Sequence, residues 1–308
     1  MSTAERLGPL PDIVAGLRYT DAAAERMREL QYDAVRRLRR AGVLGLRVPA
    51  RYGGPVGSAR DVLGAVIQIA RGSSNVAQAL RAHFGFAERL LSNRATEDER
   101  RQWFPHVNSG VVFGIAITDA NGKAPSSADT SVLADADGVL RLNGYKFYST
   151  GTLFADVIAV SAIDAEGRDL QASCRQTATA SNCSTTGTVS GTAPDSCSST
   201  SLAVAAGIAH TVADDAVAYV RERARPAAHS VATTASGDPF VLEAVGDIAA
   251  DASAAETLVL AATARTLNLD RHWRNARTVA SHNPLAYKAH ATGNYLVNGT
   301  WPSANGYF

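Results

Sequence analysis

The sequence predicts an α+β fold in three parts: an N-terminal helical domain, a partial antiparallel β domain and a C-terminal helical bundle. Three observations carry it. Apolar residues recur at helical spacing as far as about Ser109. Between Val111 and Ala162 they alternate or run continuously, as they do in strands. From Leu202 the helical period returns, so the boundaries read 1–109, 110–171, 172–201 and 202–308. The segment 172–201 stands apart by composition.

In the first part, Met27, Leu30, Ala34, Val35 and Leu38 lie on one helical stripe within residues 21–41, and Gly42 and Gly45 stop it. Ala59 to Ala70 forms a second amphipathic helix around Val62, Val66, Ile67 and Ile69. A third runs from about Asn75 to Leu91 with Val76, Leu80, His83, Ala87 and Leu90 facing inward. Thr96-Glu-Asp-Glu99 is a capping box that opens a short helix through Phe104.

Val111 to Ile117 reads as a buried strand, followed by the polar loop Thr118 to Ser126. Thr130–Asp135, Val139–Asn143 and Val157–Ala162 are further strands. Asn143-Gly144 is a two-residue hairpin signal, so Val139–Asn143 and Phe147–Thr150 are expected to pair with each other. The second strand then ends in Tyr148, Ser149 and Thr150, hydroxyls and amides beside an aromatic wall. Such a surface suits a flat heteroaromatic ring, although an ordinary sheet hairpin has the same residues.

Ala172 to Ser201 contains no Leu, Ile, Phe, Tyr or Trp, while Ser, Thr, Ala and Gly crowd in. It cannot bury enough apolar surface to offset its ordering entropy and is expected to be irregular. Two readings fit. One is an inserted linker. The other is a stretch translated out of frame: GC-rich codons can be chosen from Cys174 onward that, read two bases along, encode PTDRDGVELLDDWDGFGHR. Val204, Ile208, Val212, Ala216 and Val220 then mark one helix face, and an Ala-rich helix follows from Phe240 to about Leu267.

The 30 Lys and Arg against 29 Asp and Glu give a net charge of +1, which offers no bulk attraction to nucleic acid or to an anionic membrane. Met1-Ser-Thr-Ala-Glu-Arg lacks a basic-then-apolar leader pattern, and no apolar run approaches a membrane span. A cytoplasmic protein is expected. Cys174, Cys183 and Cys197 match no zinc or redox spacing, so neither a metal site nor a disulfide framework is expected.

Gly144-Tyr-Lys-Phe-Tyr-Ser-Thr-Gly151 and Phe113-Gly-Ile-Ala-Ile-Thr-Asp119 resemble the flavin-binding middle domain of the acyl-CoA dehydrogenase superfamily. The Phe-Tyr-Ser-Thr-Gly wording is most similar to its dibenzothiophene monooxygenase-like branch. Asn268 to Pro284, closing on Ser281-His-Asn-Pro284, is similar to the last major helix of that branch. The resemblance implies FMN, delivered reduced by a separate flavin reductase, with FAD as the alternative. It places the ring against Tyr148, Ser149 and Thr150, with Ile117 and Thr118 contributing from the neighbouring strand. It puts His83, Phe84 and Asn283 beside the substrate, although a lone His on an apolar face is also an ordinary core residue. Arg223 matches an Arg that reaches flavin phosphate on a neighbouring subunit of a homo-oligomer, a tetramer in the family. Pro226 stands where that element has Phe, and a solvated basic helix end reads equally well.

Two parts of the family pattern are missing: a second group of flavin-domain strands before Leu202, and a helix with a glycine-rich phosphate turn before Asn268. A dehydrogenase of this superfamily needs a carboxylate base, and Asn283 falls on that position. Asn cannot act as a base. His282 beside Ser281 suits a proton donor to oxygen held on reduced flavin, and His282 with Ser149 are the expected catalytic residues. The expected function is a reduced-FMN-dependent monooxygenase acting on a small apolar S- or N-containing substrate with molecular oxygen. The alternatives are an FAD-dependent acyl-CoA dehydrogenase or an inactive remnant of a disrupted gene.

Overall fold

The computed structural model describes residues 1–261 except 94, 120–129, 148, 150, 176–183, 186–196, 227–229 and 231. It gives the backbone alone at 118–119, 147, 169–171, 175, 184–185, 197–199 and 239–240. Met1–Val259 form one compact unit, and the second, Leu260–Phe308, lies outside the described residues from 262 onward.

Six helices come first: α1 (Thr3–Leu7), α2 (Leu10–Met27), α3 (Tyr32–Ala41), α4 (Ala59–Gly72), α5 (Ser74–Leu91) and α6 (Glu97–Asn108). Their starts are written in the sequence. Ser2, Ser58 and Thr96 each accept from the backbone N–H three residues on, and the Glu or Asp there bonds back. The expected single helix over 21–41 is two helices. Arg28 takes a left-handed conformation (φ 54°) that ends α2, and α3 restarts at Tyr32. Gly42, at φ 76°, ends α3 as its residue type predicts.

The main sheet is mixed, not antiparallel as expected. Its strands are β1 (Phe113–Ala116), β3 (Ser131–Ala134), β4 (Leu140–Asn143), β6 (Val157–Ile163), β7 (Asp169–Arg175) and β8 (Ser184–Thr185), ordered β4-β3-β6-β7-β8. β1 lies parallel to the first half of β6, and β3 touches its last residue, also in parallel. A separate ribbon pairs β2 (Thr118–Asp119) with β5 (Lys146–Phe147).

The expected hairpin at Asn143-Gly144 is absent. β4 pairs with β3 instead, through a turn in which Asp135 Oδ1 accepts from the backbone of Asp137 and Val139. At Gly144 (φ 148°) the chain passes so close to Thr130 that a Cβ would sit 2.5 Å from its hydroxyl. Only glycine fits there, and the chain crosses to the other sheet rather than folding back.

The segment 172–201 is likewise not irregular throughout. β7 runs through Arg175, β8 adds two residues, and α7 (Cys197–Glu222) begins before Leu202. Cys174 is fully buried and disulfide-bonded, against the expectation of cysteines without a covalent partner. α8 (Pro239–Ala261) follows.

Where helices meet the sheet, the core is aromatic. Phe86 of α5 stacks on Phe113 of β1 with ring centres 4.0 Å apart, and Trp103 of α6 meets both edge-on. Burying each such ring contributes on the order of 1.5–3 kcal/mol, so this cluster holds β1 firmly against α5.

Candidate functional site

At Ile117 the chain leaves β6 and begins to pair with β5. Ile117 is half-buried, and its carbonyl accepts from Ser161 Oγ at 2.9 Å and Lys146 Nζ at 3.1 Å. Thr118 lies opposite Phe147 in the ribbon. The crossing therefore brings the Ile117-Thr118 words and the Lys146-Phe147 words together, although by a different pairing from the one expected.

Ser149 follows two residues after the ribbon. Its carbonyl accepts from the Thr152 backbone at 3.3 Å and the Thr152 hydroxyl at 2.9 Å, closing a tight turn. Gly151 (φ 79°) seats that turn on α5 so closely that a Cβ would lie 2.2 Å from the Ala79 carbonyl oxygen. Further on, Phe154 meets Tyr32 edge-on at 5.1 Å, and Asp156 accepts from Arg39 at 2.5 Å and from the Val112 backbone at 2.8 Å. The segment is anchored along its length. Within it the half-buried Ser149 keeps an N–H and a hydroxyl with no hydrogen-bond partner among the described residues. Two donors on an anchored turn can hold the acceptor edge of a polar ring.

His83 is placed differently. It is fully buried, Nε2–H donates to the Leu44 carbonyl at 2.9 Å, and Nδ1 accepts from the Phe113 backbone at 3.3 Å. Both nitrogens are used, and burial pushes the ring's pKa down to about 4. Phe84 is 2% exposed and meets His83 edge-on. Both residues are buried, and His83 spends both ring nitrogens on backbone groups. Periodicity showed that His83 points inward, and nothing in it showed that two backbone groups wait for the ring.

Arg223 is exposed just past the end of α7, its N–H bonded to the Tyr219 carbonyl at 2.9 Å. Tyr148, Thr150, His282 and Asn283 lie outside the described residues. Two cavities are lined by described residues away from the Ser149 turn. One, of about 330 Å³, is lined by residues including Arg39, Trp103, His106 and Asp156, and the other, of about 680 Å³, lies between α2 and α3. Neither includes Ile117, Ser149 or His83. Among the described residues no helix is long and apolar enough to cross a membrane.

The sequence reading missed Lys146 and Ser161. A signal existed: Lys146 is one of only three lysines among 30 basic residues, in a chain that otherwise uses Arg.

Residues 16–111 match the family description "Acyl-CoA dehydrogenase, N-terminal domain". A probable FMNH2-dependent monooxygenase, SfnC of Pseudomonas putida, is 24% identical, with 88% of this chain and 89% of that protein covered. An acyl-CoA dehydrogenase of Bacillus subtilis is 23% identical, but the match spans 46% of this chain and only 38% of that protein. Among solved structures, FMN-bound TdsC of Paenibacillus sp. A11-2, a dibenzothiophene monooxygenase, superposes with a TM-score of 0.70 at 20% identity. That likeness covers 98% of this chain and 100% of TdsC. Butyryl-CoA dehydrogenase of Megasphaera elsdenii gives 0.71 at 18% identity, over 86% and 79% of the two chains. Mixed sheet, flanking helices and these likenesses together give the chain the acyl-CoA dehydrogenase superfamily fold, with residues 16–111 matching its N-terminal domain.

Proposed function

We propose that the protein is a flavin-dependent monooxygenase that uses reduced FMN, supplied by a separate flavin reductase, to oxygenate a small apolar sulfur- or nitrogen-containing compound. One observation carries the choice over a dehydrogenase. The sequence likeness to SfnC covers 88% of this chain and 89% of that protein, whereas the sequence match to the Bacillus dehydrogenase stops at 38% of it. The SfnC description names FMNH2, and TdsC is seen with FMN and with indole.

The described residues fit such a group. Ser149 offers an unused N–H and hydroxyl from a turn locked on α5, beside the crossing at Ile117 and Thr118. In this reading Ile117, Thr118, Tyr148, Ser149 and Thr150 hold the ring, and Arg223 reaches phosphate on a neighbouring subunit of a homo-oligomer. His282 holds the proton delivered to oxygen, and Asn283 faces the substrate. When bound, reduced FMN supplies two electrons, so that one atom of molecular oxygen enters the substrate and the other leaves as water. The chain's task is to orient the ring and keep bulk water away.

Titration of the purified protein with FMN, followed by visible absorbance, tests the reading. Saturable binding is expected, with oxygenation of dibenzothiophene or indole once NADH and a flavin reductase are added. Ser149→Ala is expected to weaken FMN binding about 5–10-fold, the worth of one hydrogen bond. Absence of FMN binding by the unaltered chain would overturn the proposal.

A further inference from the structure

Ile117 is the residue at which the chain changes sheets. Ala116 still pairs with Val160 of β6, and Thr118 already pairs with Phe147 of β5. At such a transfer the carbonyl loses its regular ladder neighbour, and a half-buried carbonyl left without a donor is costly. Here two donors converge on it, Ser161 Oγ at 2.9 Å and Lys146 Nζ at 3.1 Å. Lys146 Nζ also reaches Ser161 Oγ at 3.2 Å, closing a triangle that joins β5, β6 and the end of β1.

The residue type matters. Lys123, Lys146 and Lys288 are the only lysines among 30 basic residues. An ammonium is compact and its three donors rotate, so it can serve a carbonyl and a hydroxyl close together. A guanidinium is a planar fork suited to flat acceptors. Among the described residues the ribbon has two pairs, Thr118 with Phe147 and Asp119 with Lys146, and a two-stranded ribbon is marginal by itself.

We infer that Lys146, assisted by Ser161, is the positioning residue of the flavin site. It fixes the Ile117-Thr118 peptide, and with it the ribbon from which Ser149 extends. The inference rests on the flavin reading above. Lys146 acts through the Ile117 carbonyl and is assigned no contact with the cofactor.

The test uses Lys146→Met, which keeps most of the aliphatic stem, and Ser161→Ala. Deuterium exchange of the protein without FMN is followed on peptides spanning 113–119 and, as a control, on α5. FMN affinity and the visible spectrum of bound flavin are measured in parallel. For Lys146→Met, exchange at 117–119 is expected to quicken about 10-fold and FMN affinity to fall by about the same factor. Protection in α5 should be unchanged and the bound-flavin spectrum shifted. Ser161→Ala should move both quantities in the same direction by less, and Lys146→Arg should not restore them. Wild-type exchange and affinity in both variants would overturn the inference. Should Lys146→Met loosen α5 as well, Ser161→Ala decides: faster exchange confined to 117–119 supports the inference, and unchanged exchange overturns it. If the unaltered chain fails to bind FMN, the flavin reading falls. The exchange measurement then decides whether Lys146 fixes the crossing.

Discussion

His83 gives α5 and β1 a shared fastening, because a neutral imidazole is both donor and acceptor and here uses both functions on backbone. Protonation removes the acceptor, so the Phe113 N–H would face a second N–H. Burial, which disfavours the charged form, lowers the folded ring's pKa to about 4 against the usual 6.5. The unfolded chain binds more protons between these values, so stability is full above 6.5 and falls as the pH drops through the window. The slope is roughly 1.4 kcal/mol per pH unit for one such group. Urea midpoints between pH 7 and pH 4.5 should show it. His83→Leu should be less stable at pH 7, since it strands the Leu44 carbonyl and Phe113 N–H, but should lose this contribution to the slope. An unchanged slope in His83→Leu would refute the assignment. At this scale the sequence told that His83 is inward, through the stripe it shares with Leu80 and Ala87. It could not tell partners, because those come from a loop 39 residues earlier and a strand 30 residues later.

Among the elements, helices were the more legible. Capping boxes at Ser58 and Thr96 place helix starts by local chemistry alone. Strand pairing was not legible. Asn143-Gly144 has the composition of a hairpin turn, yet the Asp135 turn pairs β3 with β4, and Thr130 crowds Gly144. The first is a local turn, with bonds only two and four residues along the chain, and the second arises where the two ends of the β3–β4 hairpin meet. α7 shows the same limit. Its expected stripe has Val204 buried but Ile208 and Val212 41% and 52% exposed, whereas Ala203, Ala206 and Ala213 are buried beside Val204. The helix packs by its small residues because it comes very near α4. A Cβ on Gly207 would lie 2.4 Å from the Ala70 side chain and 2.6 Å from the Ile67 carbonyl oxygen. Gly207→Ala sets two effects against each other. Replacing a mid-helix glycine gains about 1 kcal/mol of helix propensity. Overpacking costs about 1–3 kcal/mol, and here one obstacle is backbone that cannot rotate away. Net destabilisation is expected in chemical denaturation, growing with Gly207→Val. A stabilised Gly207→Ala would mean that α7 and α4 are not so closely packed.

For the molecule as a whole, this chain and SfnC differ in length within the region they share. The alignment to SfnC extends over 362 positions against the 308 residues of this chain, so it opens gaps here. The resemblance implies losses before Leu202 and before Asn268, and the first adjoins the stretch from Ala172 to Ser201, which lacks large apolar residues. Its frame-shifted reading, PTDRDGVELLDDWDGFGHR, supplies Val, two Leu, Trp and Phe instead. The physical difference is large. Ordering a residue costs roughly 1–2 kcal/mol of backbone entropy, and burying one large apolar side chain returns about 1.5–3 kcal/mol. A segment without such side chains has little to set against that cost, whereas one with five has the means to pack on β7 and extend the sheet. The coding DNA is therefore expected to contain this shifted frame, with its Trp-Asp and Gly-x-Arg words, from codon 174. A chain carrying that peptide in place of the residues from Cys174 should resist limited proteolysis in this region and bind FMN more tightly than the present sequence does. If the DNA holds no such frame, or if the altered chain is cut as readily and binds FMN no better, the segment is an inserted linker, and the flavin site does not draw on it.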